Sequence, residues 1–148
     1  MFTQEKINSH TAGKIKDLHI LIVDDQRRSR QSLRALLLTI YPFAVIQEAE
    51  TGAEAIIMVE KRVPDVVFMD IRMPQMNGTE ATRHIKNRWP KVKIVALSMY
   101  PEALEEALHA GADDYFNKGD PPHIILSALE KVLSNTQESR ENQGNIRQ

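Results

Sequence analysis

At four places in the chain, chemically versatile polar side chains follow a short apolar run. They are Asp24 and Asp25, then Asp70, then Ser98, and then Asn117 with Lys118. Taken singly, such residues usually close a turn or cap a helix. Three carboxylates that converge, however, raise one another's pKa and need a counter-charge to stay ionised together. Because the chain offers oxygen ligands and has no cysteine, the set indicates a site for a hard divalent cation, Mg²⁺ or Mn²⁺.

Phosphoryl transfer is the chemistry that such a site favours. One divalent cation and Lys118 together balance the charge of three carboxylates, so the site can take up a phosphoryl group. Asp70 is the expected nucleophile, because it follows the run predicted as the central strand, where its carboxylate can attack in line. Ser98 offers a hydroxyl hydrogen to a phosphoryl oxygen.

Alternating sequence patterns predict the elements that must position these side chains. Short apolar runs alternate with segments of helical periodicity, which is typical of a doubly wound α/β fold with a parallel sheet. The predicted strands are residues 18–23, 44–48, 66–69, 92–97 and 115–116, each followed by a helix. In an open parallel sheet, ligands bind outside the carboxyl ends of the strands, which is where the polar side chains fall.

Local signals predict where several helices begin and end. Thr51 and Asn77 are each followed three residues later by glutamate, as expected of N-caps with an acidic first turn. Gly111 is predicted to end the fourth helix. Asp120 is predicted to cap the fifth helix, with Pro121 at its first position.

Composition excludes several classes of protein. The chain has 19 Lys and Arg against 20 Asp and Glu, and this net charge of −1 excludes a strongly basic arm that binds nucleic acid. The absence of cysteine excludes disulfides and thiolate metal sites. Residues 1–17 contain no apolar signal region, and no apolar run approaches a bilayer span. We therefore expect a soluble, cytoplasmic protein that binds neither membranes nor nucleic acid directly.

Polar composition at both ends delimits the predicted domain. Residues 1–17 are predicted to form a polar N-terminal extension and residues 18–134 a single folded domain. Residues 135–148 contain Ile146 as their one large apolar side chain, so they are predicted to form a polar tail or linker. The basic run of Arg27, Arg28 and Arg30, with Arg34, is expected to be a solvated helix face.

In order and spacing, these motifs resemble the receiver domain of two-component response regulators. The resemblance covers Leu18 to about Leu133. Its motifs are Asp24-Asp25, Asp70-Ile71-Arg72-Met73-Pro74 followed by Asn77-Gly78, then Ser98, and the run from Gly111 to Asn117-Lys118. The resemblance implies a flavodoxin-like sheet of order 2-1-3-4-5 with five helices. It also implies a phosphoacceptor switch rather than an enzyme, with self-catalysed phosphorylation and slow autodephosphorylation only.

The resemblance further implies roles for individual residues. Asp70 would be the phosphoacceptor, assisted by Lys118 and Ser98. Asp25 and Asp70 would bind Mg²⁺ directly, Asp24 would bind it through water, and the backbone carbonyl of Arg72 would complete the ligand shell.

Signalling partners are implied in the same way. The phosphoryl donor would be a sensor histidine kinase or a phosphotransfer protein. Ser98 and Tyr115 would form a switch pair, in which the hydroxyl moves to the phosphate and the ring turns inward. The surface of the fourth helix, fifth strand and fifth helix would then bind a partner, with a homodimer as one expectation.

Two departures from the family pattern bear on function. The family usually has proline after the lysine, whereas this chain has Gly119-Asp120, so the turn must be built differently. The position after the switch hydroxyl is usually small, but here Met99 is followed by Tyr100. With Arg72, these side chains are expected to crowd the approach of water and so tune the lifetime of the phosphorylated state.

The Asp-Ile-Arg-Met-Pro run and the absence of Lys-Pro resemble the NarL/FixJ-type subfamily. Its members usually continue into a LuxR-type helix-turn-helix domain. The sequence therefore leaves two expectations open: a stand-alone receiver, or the N-terminal receiver fragment of a LuxR-type transcriptional regulator.

Two rival functions fit the same topology less well. A flavin carrier would need hydroxyl and glycine donors around a phosphate in the first loop, where Asp24 and Asp25 would repel it. A haloacid-dehalogenase-type phosphatase would need a second acid two residues after its aspartate nucleophile, where this chain has Arg72.

Overall fold

The computed structural model describes residues 18–73 and 77–146, and it describes side chains as far as residue 135. In chain order the elements are β1 (His19–Val23), α1 (Arg27–Ile40), β2 (Val45–Ala49), α2 (Gly52–Lys61), β3 (Val66–Asp70), α3 (Gly78–Arg88), β4 (Lys93–Ser98), α4 (Pro101–His109), β5 (Asp114–Asn117) and α5 (Pro122–Ile146). The predicted extension 1–17 and Pro74 of the Asp70 motif lie outside the described residues.

The strands form one parallel sheet in the order β2-β1-β3-β4-β5, which confirms the predicted fold. Its register aligns the carboxyl ends of neighbouring strands. Val23 at the end of β1 pairs with Met69 of β3, and Ser98 at the end of β4 pairs with Asn117 of β5. The residues that follow or end these strands therefore lie along one edge of the sheet. No described helix is long and apolar enough to cross a membrane.

Helices cover both faces of the sheet, and each face has its own hydrophobic cluster. Leu21 and Val67 belong to the cluster shared with α2, α3 and α4. Ile20 and Phe68 belong to the cluster shared with α1 and α5. Neighbouring strand residues join opposite clusters because side chains alternate between the two faces of a sheet. Burial on both faces explains why the inner strands β1, β3 and β4 are mostly apolar.

The predicted helix caps of α2 and α3 are confirmed. The Thr51 hydroxyl accepts a hydrogen bond from the backbone N–H of Glu54 at 3.0 Å. The side-chain oxygen of Asn77 accepts one from Glu80 at 2.8 Å. At the end of α4, Gly111 has a φ of 113°, the left-handed conformation expected of a glycine that ends a helix.

The predicted start of α5 is wrong by one residue, and Asp120 has a different role. The helix begins at Pro122, so Pro121 precedes it. The Asp120 carboxylate accepts a hydrogen bond from the Asn117 N–H at 2.9 Å, and the Asp120 N–H donates back to the Asn117 carbonyl at 2.9 Å. Asp120 therefore closes the turn after β5, because an Asp side chain can satisfy nearby backbone groups instead of a helix end.

The backbone of α5 continues as a helix through Ile146, into the residues 135–148 that composition predicts to be a polar tail or linker. A helix that is already nucleated by packing adds one backbone hydrogen bond per further residue, and Glu, Gln and Arg are good helix formers. The domain boundary near residue 134 stays a prediction.

Gly78 at the start of α3 allows a close approach that the Asp70 motif requires. Its N–H donates to the Ile71 carbonyl at 3.0 Å. A Cβ at Gly78 would overlap the carbonyl oxygen of Asp70 and crowd the Ile71 backbone. These are backbone atoms, so they cannot rotate away as a flexible side chain would.

We expect Gly78→Ala to lower the free energy of unfolding by about 1–3 kcal/mol, because the added methyl group must displace the end of β3. Gly119→Ala is the matched control, since nothing lies within 4 Å of a Cβ built there. Urea unfolding of both variants checks the prediction. Equal stability of Gly78→Ala and wild type would contradict it.

Candidate functional site

Three aspartates meet at the carboxyl edge of the sheet, as the sequence predicts. Asp24 follows β1 and Asp70 ends β3, and both are almost completely buried, whereas Asp25 is exposed. One carboxylate oxygen from each lies within 4.8 Å of the others. The pairing of β1 with β3 produces this cluster, because it aligns the ends of two adjacent strands.

Lys118 pairs with both buried aspartates. Its Nζ lies 2.9 Å from Oδ2 of Asp24 and 3.1 Å from Oδ2 of Asp70. Its backbone N–H donates to the Ser98 carbonyl at 3.1 Å, which fixes the start of the side chain beside β4. Burial disfavours the charged ammonium, but the pairing with Asp24 and Asp70 outweighs this and raises the pKa of Lys118.

Burial also makes the Asp70 carboxylate hard to ionise. Loss of solvent raises the pKa of Asp70 to about 6; the charge of Lys118 opposes this rise, and the charge of Asp24 adds to it. The Arg72 backbone N–H donates to Oδ1 of Asp70 at 3.2 Å and further favours the ionised form. At neutral pH the carboxylate is therefore ionised but poorly solvated, so it gains from any added cation.

The donor set fits a hard divalent cation. Oδ2 of Asp24 is buried and ion-paired with Lys118, yet among the described residues it finds no hydrogen-bond partner of regular geometry. An under-satisfied carboxylate oxygen beside two further carboxylates is the ligand environment that Mg²⁺ prefers. Because Asp25 is exposed, the cluster can be reached from solvent.

Ser98 is the last residue of β4, at the same edge of the sheet as Asp70, whereas Tyr115 lies within β5. Ser98 is buried at the end of β4, and its Oγ accepts a hydrogen bond from the Tyr100 N–H at 3.1 Å. The hydroxyl hydrogen is not used in that bond, so it can be donated elsewhere. Tyr115 in β5 has 45% of its surface exposed.

Two of the three side chains expected to crowd the site contact each other. The guanidinium of Arg72 lies 5.2 Å from the centre of the Tyr100 ring, a cation–π contact, and it lies 3.8 Å from the Glu102 carboxylate. This contact joins the loop after β3 to the loop after β4. Met99 is 65% exposed.

Sequence reasoning missed the role of Arg30. It assigned Arg30 to a solvated face, but this side chain is only 8% exposed and donates to the Asp24 carbonyl at 2.7 Å. Helical periodicity could have found it, because Arg30 lies three residues before Leu33 and seven before Leu37, on the buried face of α1.

Comparison with known proteins agrees with this geometry. Residues 20–130 match the family model described as the response regulator receiver domain. The chain belongs to this family. The match confirms the predicted resemblance, and this receiver domain is thereby one of the two-component signalling type.

Several relatives of this receiver domain are transcriptional regulators by name. It is 35% identical over 117 residues to the transcriptional regulatory protein DegU of Brevibacillus brevis, covering 78% of this chain and 50% of that protein. It is 35% identical over 119 residues to the response regulator UvrY of Escherichia coli K12, covering 79% of this chain and 55% of that protein. The chain thus spans about half the length of these curated relatives.

Solved receiver structures have the same fold. A LuxR-family response regulator from Aurantimonas sp. SI85-9A1 matches with a TM-score of 0.75 and 31% identity, covering 80% of this chain and 86% of that one. A CheY-like receiver domain protein from Methanospirillum hungatei JF-1 matches with a TM-score of 0.76 and 26% identity, covering 83% and 98%.

The raised pKa of Asp70 predicts that Asp70→Asn stabilises the metal-free receiver domain at neutral pH. The folded protein holds the Asp70 proton more tightly than the unfolded chain does, so wild-type stability falls as pH rises from about 4 to about 6. Asn cannot lose a proton, so the variant keeps its stability over this pH range. Its free energy of unfolding should exceed that of wild type by on the order of 1–3 kcal/mol at pH 7.5, and the difference should vanish near pH 4.

Urea unfolding in EDTA at several pH values measures this difference. Asp65→Asn is the matched control, because Asp65 is exposed and lies just before the other end of β3. A variant no more stable than wild type at pH 7.5 would contradict the prediction.

Proposed function

We propose that this receiver domain is a Mg²⁺-dependent phosphoacceptor, in which Asp70 takes a phosphoryl group from a histidine of a sensor kinase or phosphotransfer protein. One observation carries the proposal: the carboxylate oxygens of Asp24, Asp25 and Asp70 lie within 4.8 Å of one another, and Lys118 pairs with both buried members. We further propose that the domain works in the cytoplasm, which suits a chain without cysteine.

The chemical step follows from these positions. A carboxylate oxygen of Asp70 attacks phosphorus and forms an O–P bond, while the N–P bond of phosphohistidine breaks and its electron pair stays on the imidazole. Lys118 neutralises charge on the phosphoryl oxygens, and Ser98 donates its hydroxyl hydrogen to another of them. Asp25, Asp70 and the Arg72 carbonyl would hold a divalent cation directly and Asp24 would hold it through water; when bound, it would supply further charge neutralisation.

The site favours a stored phosphoryl group over rapid turnover. A dedicated phosphatase needs a second acid near the nucleophile, and two residues after Asp70 this chain has Arg72, whose side chain is occupied by Tyr100 and Glu102. We therefore propose self-catalysed phosphorylation and slow autodephosphorylation as the only catalysis of this domain.

Acetyl phosphate should phosphorylate the wild-type domain only when Mg²⁺ or Mn²⁺ is present. Intact-protein mass spectrometry should detect one phosphoryl adduct, which EDTA abolishes. Asp70→Asn should remove the adduct, whereas the control Asp65→Asn should keep it. An undiminished adduct in Asp70→Asn would refute the assignment of Asp70.

We propose that phosphorylation is read out through Ser98 and Tyr115. The Ser98 hydroxyl would turn to the phosphoryl group, and the exposed Tyr115 ring would fill the space that opens behind it. Exposed apolar side chains at Leu108, Tyr115 and Ile124 support a partner-binding surface formed by α4, β5 and α5, with a homodimer as one partner. Sedimentation with and without beryllofluoride, which stands in for the phosphoryl group, measures that dimer; an unchanged coefficient would contradict it.

Arg72, Met99 and Tyr100 should set the phosphorylated lifetime. Water must approach in line behind the phosphorus, and the Arg72–Tyr100 contact supports a barrier across the two loops that border Asp70 and Ser98. We expect Met99→Ala combined with Tyr100→Ala to shorten the lifetime severalfold, since about 1.4 kcal/mol of lost barrier is tenfold in rate.

Loss of the phosphoryl adduct over time, followed by mass spectrometry, measures this lifetime. Phe43→Ala is the control, because it removes an exposed aromatic side chain between α1 and β2. Equal decay of the double variant and wild type would contradict the proposed barrier.

A second candidate output is control of transcription. It is supported by the names of longer relatives such as DegU and by the LuxR-family structure. Sequencing the gene beyond the codon for Gln148 tests it: a helix-turn-helix segment there supports a transcriptional regulator, and a stop codon supports a stand-alone receiver.

A further inference from the structure

Arg30 connects three segments of the chain beside the acidic site. Its Nε donates to the Glu48 carboxylate of β2 at 3.0 Å, and its Nη2 pairs with Glu50 at 3.4 Å. Its Nη1 donates to the backbone carbonyl of Asp24 at 2.7 Å. The planar guanidinium thereby fixes three acceptors with one rigid group.

The bond to the Asp24 carbonyl sets the orientation of Asp25. That carbonyl belongs to the peptide unit joining Asp24 to Asp25, and peptide units are planar, so fixing its oxygen restrains the N and Cα of Asp25, from which the side chain extends. Within the described part of the chain, no hydrogen bond or ion pair reaches the Asp25 carboxylate itself. The placement of Asp25 therefore depends on its backbone.

The side chain and the N–H group of Asp24 are held by contacts that do not involve Arg30. Oδ1 of Asp24 accepts from the Gln26 N–H at 2.8 Å, and Oδ2 pairs with Lys118. The Asp24 N–H donates to the Ala49 carbonyl at 3.1 Å. Loss of Arg30 should therefore disturb Asp25 more than Asp24.

Position rather than charge is the contribution of Arg30. Its positive charge is balanced locally by Glu48 and Glu50, so it adds little net charge to the acidic site. Arg34 provides a natural comparison. Its Nη1 also pairs with Glu48, at 3.2 Å, but it donates to the backbone carbonyl of Ile46 rather than to that of Asp24.

We propose that Arg30 is a positioning residue for the divalent cation: it aims the Asp25 carboxylate by holding the Asp24–Asp25 peptide, and Glu48 holds Arg30 in place. This inference rests on the Mg²⁺ binding of the proposed function. It makes β2, a strand that supplies no ligand, part of the support for the cation site.

Isothermal titration of Mg²⁺ into Arg30→Gln and Arg34→Gln tests the inference. Both variants remove one ion pair from Glu48, but only Arg30→Gln releases the Asp24 carbonyl. We expect the Kd for Mg²⁺ to rise tenfold or more in Arg30→Gln and to stay within twofold in Arg34→Gln. In the metal-free proteins, the backbone amide resonance of Asp25 should shift in Arg30→Gln and stay in place in Arg34→Gln.

Leu37→Ala separates positioning from general loss of stability. Leu37 is fully buried in the same helix, so its truncation should destabilise the domain while leaving the Kd and the Asp25 amide unchanged. If Arg30→Gln does not fold, Glu48→Gln replaces it, because it removes the charge that pairs with the Nε of Arg30; its Kd for Mg²⁺ should rise about threefold.

Several results would overturn the inference. Equal Kd values in Arg30→Gln, or in its substitute Glu48→Gln, and in wild type would refute the positioning role while leaving the proposed function intact. An equal rise of the Kd in Leu37→Ala would mean that Arg30 contributes only to the stability of the domain. A wild-type domain that takes up no Mg²⁺ would refute the proposed function, and this inference with it.

Discussion

The shared ion pair of Lys118 with Asp24 and Asp70 is the interaction on which the site depends. Two carboxylates buried side by side would repel each other, and neither could stay charged without a cation within reach. Lys118 follows β5, which is two strands away from β3, a distance of about 10 Å at the usual strand spacing. Because β4 lies between these two strands, the Lys118 side chain must span the width of β4 to reach Asp70. The strand order of the whole sheet is therefore a requirement of this one contact.

Burial on both faces of the sheet makes that contact possible. The two hydrophobic clusters hold the strands from either side, and so hold in place the strand ends and adjoining loops that carry the site residues. Charged groups support the site from two directions. Lys118 neutralises the carboxylates from one side, and Arg30 holds the backbone of the first two aspartates from the other. The carboxylates of the site thus repel one another, while the packed strands and the contacts of Lys118 and Arg30 keep them in place.

The fold and the acidic cluster were predictable because they depend on hydrophobic periodicity and on the parallel arrangement of the strands. An apolar run followed by aspartate, repeated in a parallel sheet, must bring those aspartates to one edge. The burial of Arg30 was not predicted, because a run of basic residues is typical of a solvated helix face. Its partner Glu48 on β2 is also distant in sequence. The prediction that Asp120 caps α5 was wrong for another reason. The same carboxylate can cap a helix or close a turn, and the local backbone geometry decides between the two. The length of α5 depends on continuation from a packed helix, which composition alone does not report.

The two edge strands decide how the sheet can meet another molecule. β5 has four residues and carries Asp114, and β2 has five and carries Glu48, which Arg30 and Arg34 hold. A strand added along either edge would have to lie against these charges, and short, charged edges are a common natural protection against edge-to-edge aggregation. Contact with another molecule is therefore left to side chains of the helices, the loops and β5, and the sheet itself is a poor template for fibres.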